Sequence, residues 1–163
     1  MKFLTISSYI ASIAALMLGA YIVVVSLKES LPLTDMLILS LPIILMALTQ
    51  LFHTNRARKF IEGKVYKSTD QLDEYALNDI EHDEYVVHTL YWQKIVTTVN
   101  SIALCLFSIY IAYQLNGFLN ALIQASHISD ALLSLLGLII FLFAIPTVVF
   151  NLRTHRLTRV VKG

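Results

Sequence analysis

Apolar residues in this chain gather into four long blocks, at residues 3–27, 33–52, 95–115 and 131–150, with polar residues pushed into the segments between them. A helix needs roughly 20 predominantly apolar residues to cross the hydrocarbon core of a bilayer. The first and third blocks carry no charge, Asp35 stands near the start of the second, and Asp130 directly precedes the fourth. Lipid offers no partner for backbone N–H and C=O groups, so segments of this kind satisfy themselves as helices. The pattern therefore predicts an all-α membrane protein, a single four-span domain over residues 1–163. A cleaved signal peptide is the competing reading of the first block, because Lys2 precedes it and Gly19-Ala20 mimics a cleavage site. The apolar run continues through residues 21–27, however, which is too long for a signal core, and Leu18 occupies a position that wants a small residue. It is read as a retained span.

The connections carry patterns of their own. Residues 28–32 are too few to separate the first two spans, which should pack as antiparallel neighbours with Pro32 starting the second helix. Pro42 and Pro146 each remove a backbone donor and predict kinks. Between the third and fourth spans, at residues 115–130, Asn116, Asn120, Gln124 and His127 recur at spacings of four, four and three. Leu115, Phe118, Leu119, Leu122 and Ile123 take the other side, which predicts an amphipathic helix that extends span three or lies on the outer surface. The loop at 53–93 is the one sizeable polar region. Gly63 reads as a helix stop, and Ser68 with Gln71 as a capping box opening a return helix. The arms, roughly 10 and 24 residues or about 15 and 36 Å at helical rise, predict a bend near residues 78–84.

Charge gives the orientation. With the N-terminus inside, eleven of the twelve Lys and Arg residues fall in cytoplasmic segments, and only Lys28 lies outside. That bias places both termini in the cytoplasm, with the segment at 115–130 outside, and the setting is read as a bacterial inner membrane. Tyr91 and Trp92 at one end of span three, and Tyr110 and Tyr113 at the other, suit its two interfaces. Composition agrees: 57% hydrophobic and 14% charged residues, net charge +1 and a mean hydropathy of +0.71. A soluble domain carries about 25% charged residues, so a disordered chain, a nucleic-acid binder and, with Cys105 the only cysteine, a disulfide scaffold are excluded.

Candidate chemistry is sparse. Glu81, Glu84 and His88 share one helical face at i, i+3 and i+7, but no second helix offers matching ligands, so no metal is expected and an acidic solvated face is preferred. No histidine sits deep enough between spans for haem, and no charge sits mid-membrane for proton coupling or voltage sensing. No phosphate loop, nucleophile elbow or paired-cysteine motif occurs, so neither catalysis nor a cofactor is expected. In the cytoplasmic loop, Arg56, Arg58 and Lys59 precede Asp73, Glu74, Glu81, Glu84 and His88, and this charged segment suits self-pairing, anionic lipid, or a soluble partner.

What the spans do carry is packing. Ser7, Ala11, Ala15 and Gly19 form a ridge of small residues every four positions along span one, echoed by Thr97, Ser101 and Cys105 in span three, where Asn100 is also polar. Such ridges let helices approach closely, within the bundle or against a partner's helix. In size, span number, few buried charges and a short basic tail (residues 151–163), the layout resembles that of immunity proteins against pore-forming bacteriocins. That resemblance of layout, which rests on no specific motif, implies a non-enzymatic protein that recognises another membrane or membrane-inserting protein and blocks its channel. An accessory subunit docking partners through the cytoplasmic loop is the alternative, association between copies is open, and a small transporter would need a polar path that the sequence does not offer.

Overall fold

A computed structural model describes the backbone of residues 2–67, 79–125 and 127–160, and the side chains of residues 2–58, 93–125 and 127–154. Every element among these residues is helical: α1 (Lys2–Lys28), α2 (Leu33–Lys67), α3 (Asp79–Tyr113), α4 (Leu115–Ile123) and α5 (Ile128–Val160). Four segments are long and apolar enough to cross a membrane, namely Lys2–Lys28, Leu33–Arg58, Gln93–Tyr113 and Ile128–Thr154. Large apolar side chains such as Val24, Ile38, Leu106, Ile109, Leu142 and Ile145 are exposed around the outside. In a soluble domain that surface would be a liability, whereas in a bilayer it is the lipid contact.

The four long helices form a ring in the order α2, α1, α5, α3. The α1 helix packs tightly against both α2 and α5, α3 packs against α5, and α2 and α3 meet only sparsely. Cross-helix contacts fix the directions. Ser8 of α1 meets Thr54 of α2 while Gly19 meets Ile44, so residue numbers run in opposite senses and the pair is antiparallel. Gln50 bonds to Asn151 and His53 to Thr154, both across 101 residues, so α2 and α5 run parallel and in register. The start of α1 and the end of α5 therefore lie at one end of the bundle, and α4 lies at the other.

The core is built from small residues. Ala14, Ala15, Ala47 and Ala144 share it with Leu18, Leu104, Leu136 and Ile140. Without a hydrophobic drive between helices, contact area has to come from close approach, and small residues permit it. At Gly19 the approach is so close that a Cβ would stand 2.5 Å from Cγ1 of Ile44. Hydroxyls inside the spans bond back to the carbonyl four residues earlier, as Ser12 does to Ser8 and Thr147 to Phe143, which hides them from lipid.

The connections differ from the sequence expectation in several places. The α2 helix runs through Gly63 to Lys67. A glycine inside a helix costs only about 1 kcal/mol relative to alanine, and Gly63 does not stop this one. The Ser68 and Gln71 cap lies outside the described residues, as does the start of the expected bend, and α3 is continuous from Asp79. Both α2 and α5 also continue as helix through Pro42 and Pro146. The amphipathic helix expected over 115–130 is shorter: α4 follows α3 after a turn at Gln114 and stops at Ile123. His127 lies beyond it, its carbonyl accepting from the N–H groups of Asp130 and Ala131 as α5 begins.

A buried amide layer and a lateral seam

Polar side chains from all four spans meet at the end of the bundle that holds the termini. Its centre is a reciprocal amide pair. Gln50 Nε2 donates to Asn151 Oδ1 at 2.8 Å, and Asn151 Nδ2 donates back to Gln50 Oε1 at 3.2 Å. Both residues are almost wholly buried. The remaining valences are distributed outwards. Gln50 Nε2 also donates to Ser8 Oγ at 3.0 Å, Ser8 and Thr54 hydroxyls lie 2.7 Å apart, and Thr54 donates to the Gln50 carbonyl at 2.8 Å. Thr54 thus spends its hydrogen on the backbone, and Ser8 is the donor between the two hydroxyls. On the other side Asn151 Nδ2 donates to Ser101 Oγ at 2.9 Å, and Ser101 donates to the Thr97 carbonyl at 2.7 Å.

One helical turn along, His53 Nε2 lies 3.1 Å from Thr154 Oγ1, which itself donates to the Asn151 carbonyl at 2.8 Å. The threonine hydrogen is therefore taken, so His53 Nε2 carries the hydrogen between them. Its ring also meets the edge of Phe150, with centroids 6.0 Å apart. Partial satisfaction of such a network would be expensive, because each buried amide left without a partner costs about 1–3 kcal/mol. The amides of Gln50 and Asn151 meet that requirement.

Gln93 does not. It stands on α3 just before the apolar block at 95–115, and both Nε2 and Oε1 of its amide are buried without a hydrogen-bond partner. It lines a cavity of about 430 Å³ with Leu48, Phe52, His53 and Thr97. Thr49 and Val96 are shared with a second cavity of about 490 Å³, whose walls include Pro42, Met46, Asn100, Ala103 and Phe107. The two lie end to end along the line where α2 and α3 meet only sparsely, and the second reaches inward to Ala15 and Leu18 of α1 and Ile140 of α5. Asn100 is held in its floor, donating to Thr49 Oγ1 at 3.0 Å and more weakly to the Met46 carbonyl at 3.4 Å.

The residues singled out from the sequence separate into distinct places. Ser7, Ala11, Ala15 and Gly19 are all buried between α1 and its two neighbours, so the ridge is used up inside the bundle. A four-residue spacing drifts about 40° around a helix at each step, and α1 tolerates the drift because helices lie on both sides. In span three the same drift carries the echo outward: Thr97 is buried, Ser101 half-buried and Cys105 exposed. Cys105, expected to be among the polar interior positions of that span, is not an interior one.

At the opposite end α4 rests on Phe118, whose ring meets Tyr110 edge-on at 6.5 Å and packs where Gly137 leaves room; a Cβ there would stand 2.9 Å from the ring. Asn116, Asn120, Gln124 and His127 are exposed. Arg56 is half-buried and Arg58 exposed, while the side chains of Lys59, Asp73, Glu74, Glu81, Glu84 and His88 lie outside the described residues. Among those described, no three His, Cys, Asp or Glu side chains converge as a metal site.

Sequence reasoning missed Gln50, Gln93 and Asn151. A usable signal was present: Gln50, His53 and Thr54, and likewise Thr147, Asn151 and Thr154, recur at three- and four-residue spacing, which puts each set on one helix face. No protein-family model matches the chain, and neither a curated protein nor a solved structure is significantly similar to it.

Proposed function

We propose that this is a non-enzymatic, multi-pass protein of a bacterial inner membrane that works by recognising another membrane-inserting protein. Its most concrete form is immunity or exclusion against a toxin or an invading element that arrives from outside. The observation that carries this reading is α4. It is seated on the bundle by Phe118, contains no buried residue and no charge, and leaves Asn116, Asn120 and Gln124 exposed in a row. The small-residue ridge, by contrast, already packs within the molecule. The distribution of Lys and Arg supports an orientation with α4 on the outer face and both termini in the cytoplasm. A partner laying a helix against α4 would find hydrogen-bonding amides beside the exposed apolar surfaces of Tyr113 and Ile123, the mix of polar and aromatic groups that interfaces favour.

Photo-crosslinkers placed at Asn116, Asn120 and Gln124 in native membranes test it. Discrete protein adducts are expected there and not at the lipid-facing Ile145, and replacing all three with alanine should abolish protection from the partner. Adducts confined to residues 53–93 would overturn the reading in favour of a subunit docked from the cytoplasm.

A further inference from the structure

We propose that the seam between α2 and α3 is a binding site for a membrane glycerolipid, with one acyl chain in the apolar section and the glycerol-ester region at the Gln93 amide. Depth is the first argument. Gln93 stands beside Lys94, two residues before the apolar block at 95–115, so its side chain sits at the level where headgroups give way to hydrocarbon. Each leaflet contributes about 15 Å of a bilayer core about 30 Å thick. Ten residues of helix rise about 15 Å, which brings the seam from Gln93 to Ala103 at the midplane, with Phe107 closing it about 21 Å from the start. The groove thus begins at the ester level and ends just past the reach of one leaflet's chains.

Shape is the second. A helix about 10 Å across fills about 420 Å³ in each 5.4 Å turn. Four turns would be needed to follow the seam, yet each of its two sections, about 490 and 430 Å³, has room for one. A partner helix can lie over the seam but cannot enter it, whereas a single extended chain can. The third argument is chemical. Elsewhere in the described interior the amides of Gln50 and Asn151 are paired, whereas both polar atoms of the Gln93 amide are buried with no hydrogen-bond partner. Once the Gln93 side chain turns its amide, closed off in this structure, into the groove, an ester carbonyl and a glycerol oxygen or hydroxyl supply the missing groups, and Val96, Val99, Ala103 and Phe107 line the path of the chain with apolar surface. The site does not depend on α4 or on the identity of any protein partner.

The test uses the full chain in proteoliposomes containing a phosphatidylcholine with a diazirine midway along one acyl chain, and measures lipid retained after purification in mild detergent. Wild type should retain lipid stoichiometrically, with photolabel concentrated on the peptide holding Val99 and Ala103. Ala103→Phe should empty the seam, and Gln93→Leu should release lipid about tenfold more readily, the factor expected for one lost hydrogen bond to a buried amide. Ile145→Phe, on the outer face, should change nothing. Circular dichroism and elution volume establish that each variant is folded; should Ala103→Phe fail that check, Gln93→Leu decides alone. Equal retention in wild type and Gln93→Leu, or photolabel spread evenly around the lipid belt, would overturn the proposal.

Discussion

Asn151 holds three helices together with one side chain: it exchanges hydrogen bonds with Gln50 of α2 and donates to Ser101 of α3 from its own place on α5. Hydrogen bonds between membrane helices average only about 0.6 kcal/mol by double-mutant cycle. Removing one partner is a different matter, because the amide left behind remains buried. We expect Asn151→Leu to destabilise the bundle by about 1–3 kcal/mol. Adding Gln50→Leu should restore part of that loss, giving a coupling of about 1 kcal/mol. Reversible unfolding in mixed micelles measures both, and strictly additive effects would show that the two amides do not act as a pair. The same residues explain how far the sequence could be read. The apolar blocks locate the four spans, but those at 33–52 and 131–150 end where polarity rises. Gln50 falls in the last turn of the second block, and His53, Thr54, Asn151 and Thr154 fall beyond the blocks, although each is turned inward. A hydropathy pattern records that a residue is polar and not what it faces. Which helix lies opposite is a tertiary fact, and no local spacing encodes it.

At the scale of elements, the tight turn joining α1 to α2 has a specific geometry. The N–H of Leu31 reaches the carbonyl of Ser26 at 3.0 Å, and the N–H of Ser30 reaches that of Leu27 at 3.3 Å, the two bonds of a Schellman motif. That motif needs a left-handed residue, and Ser30 takes it with φ of 54°. A non-glycine residue there pays a steric penalty that glycine avoids. We therefore expect Ser30→Gly to stabilise the chain by about 0.5–1 kcal/mol, seen as a raised midpoint of thermal unfolding in detergent. A lowered midpoint would mean that the serine side chain contributes something the backbone geometry does not reveal. The short connection and the antiparallel pairing it enforces were legible in residues 28–32. The amphipathic segment after span three was legible too, though only its first nine residues form α4, because the hydrophobic spacing continues past the point where the helix ends.

Across the whole molecule, polarity is lopsided. The amide layer lies at the end holding the termini, while the opposite end is closed by Phe118, Gly137 and Ile111. The orientation proposed from the basic residues, with both termini in the cytoplasm, is open to a direct check. In a Cys105→Ser background, an impermeant maleimide added to intact cells should label Asn120→Cys and leave Asn55→Cys unlabelled. The reverse result would turn the protein over and remove α4 from the outer face. The separation of Gln50 from its partner also has a consequence in time. Ribosomes add about 5–20 residues per second, so the 101 residues between Gln50 and Asn151 take about 5–20 seconds to synthesise. For most of that interval the hairpin of α1 and α2, finished at Lys67, carries an amide whose final partner does not yet exist. Ser8, made earlier and already in reach at 3.0 Å, is the one described side chain on that hairpin that accepts from it. The serine in span one is thus placed to partner the Gln50 amide before the last helix is made.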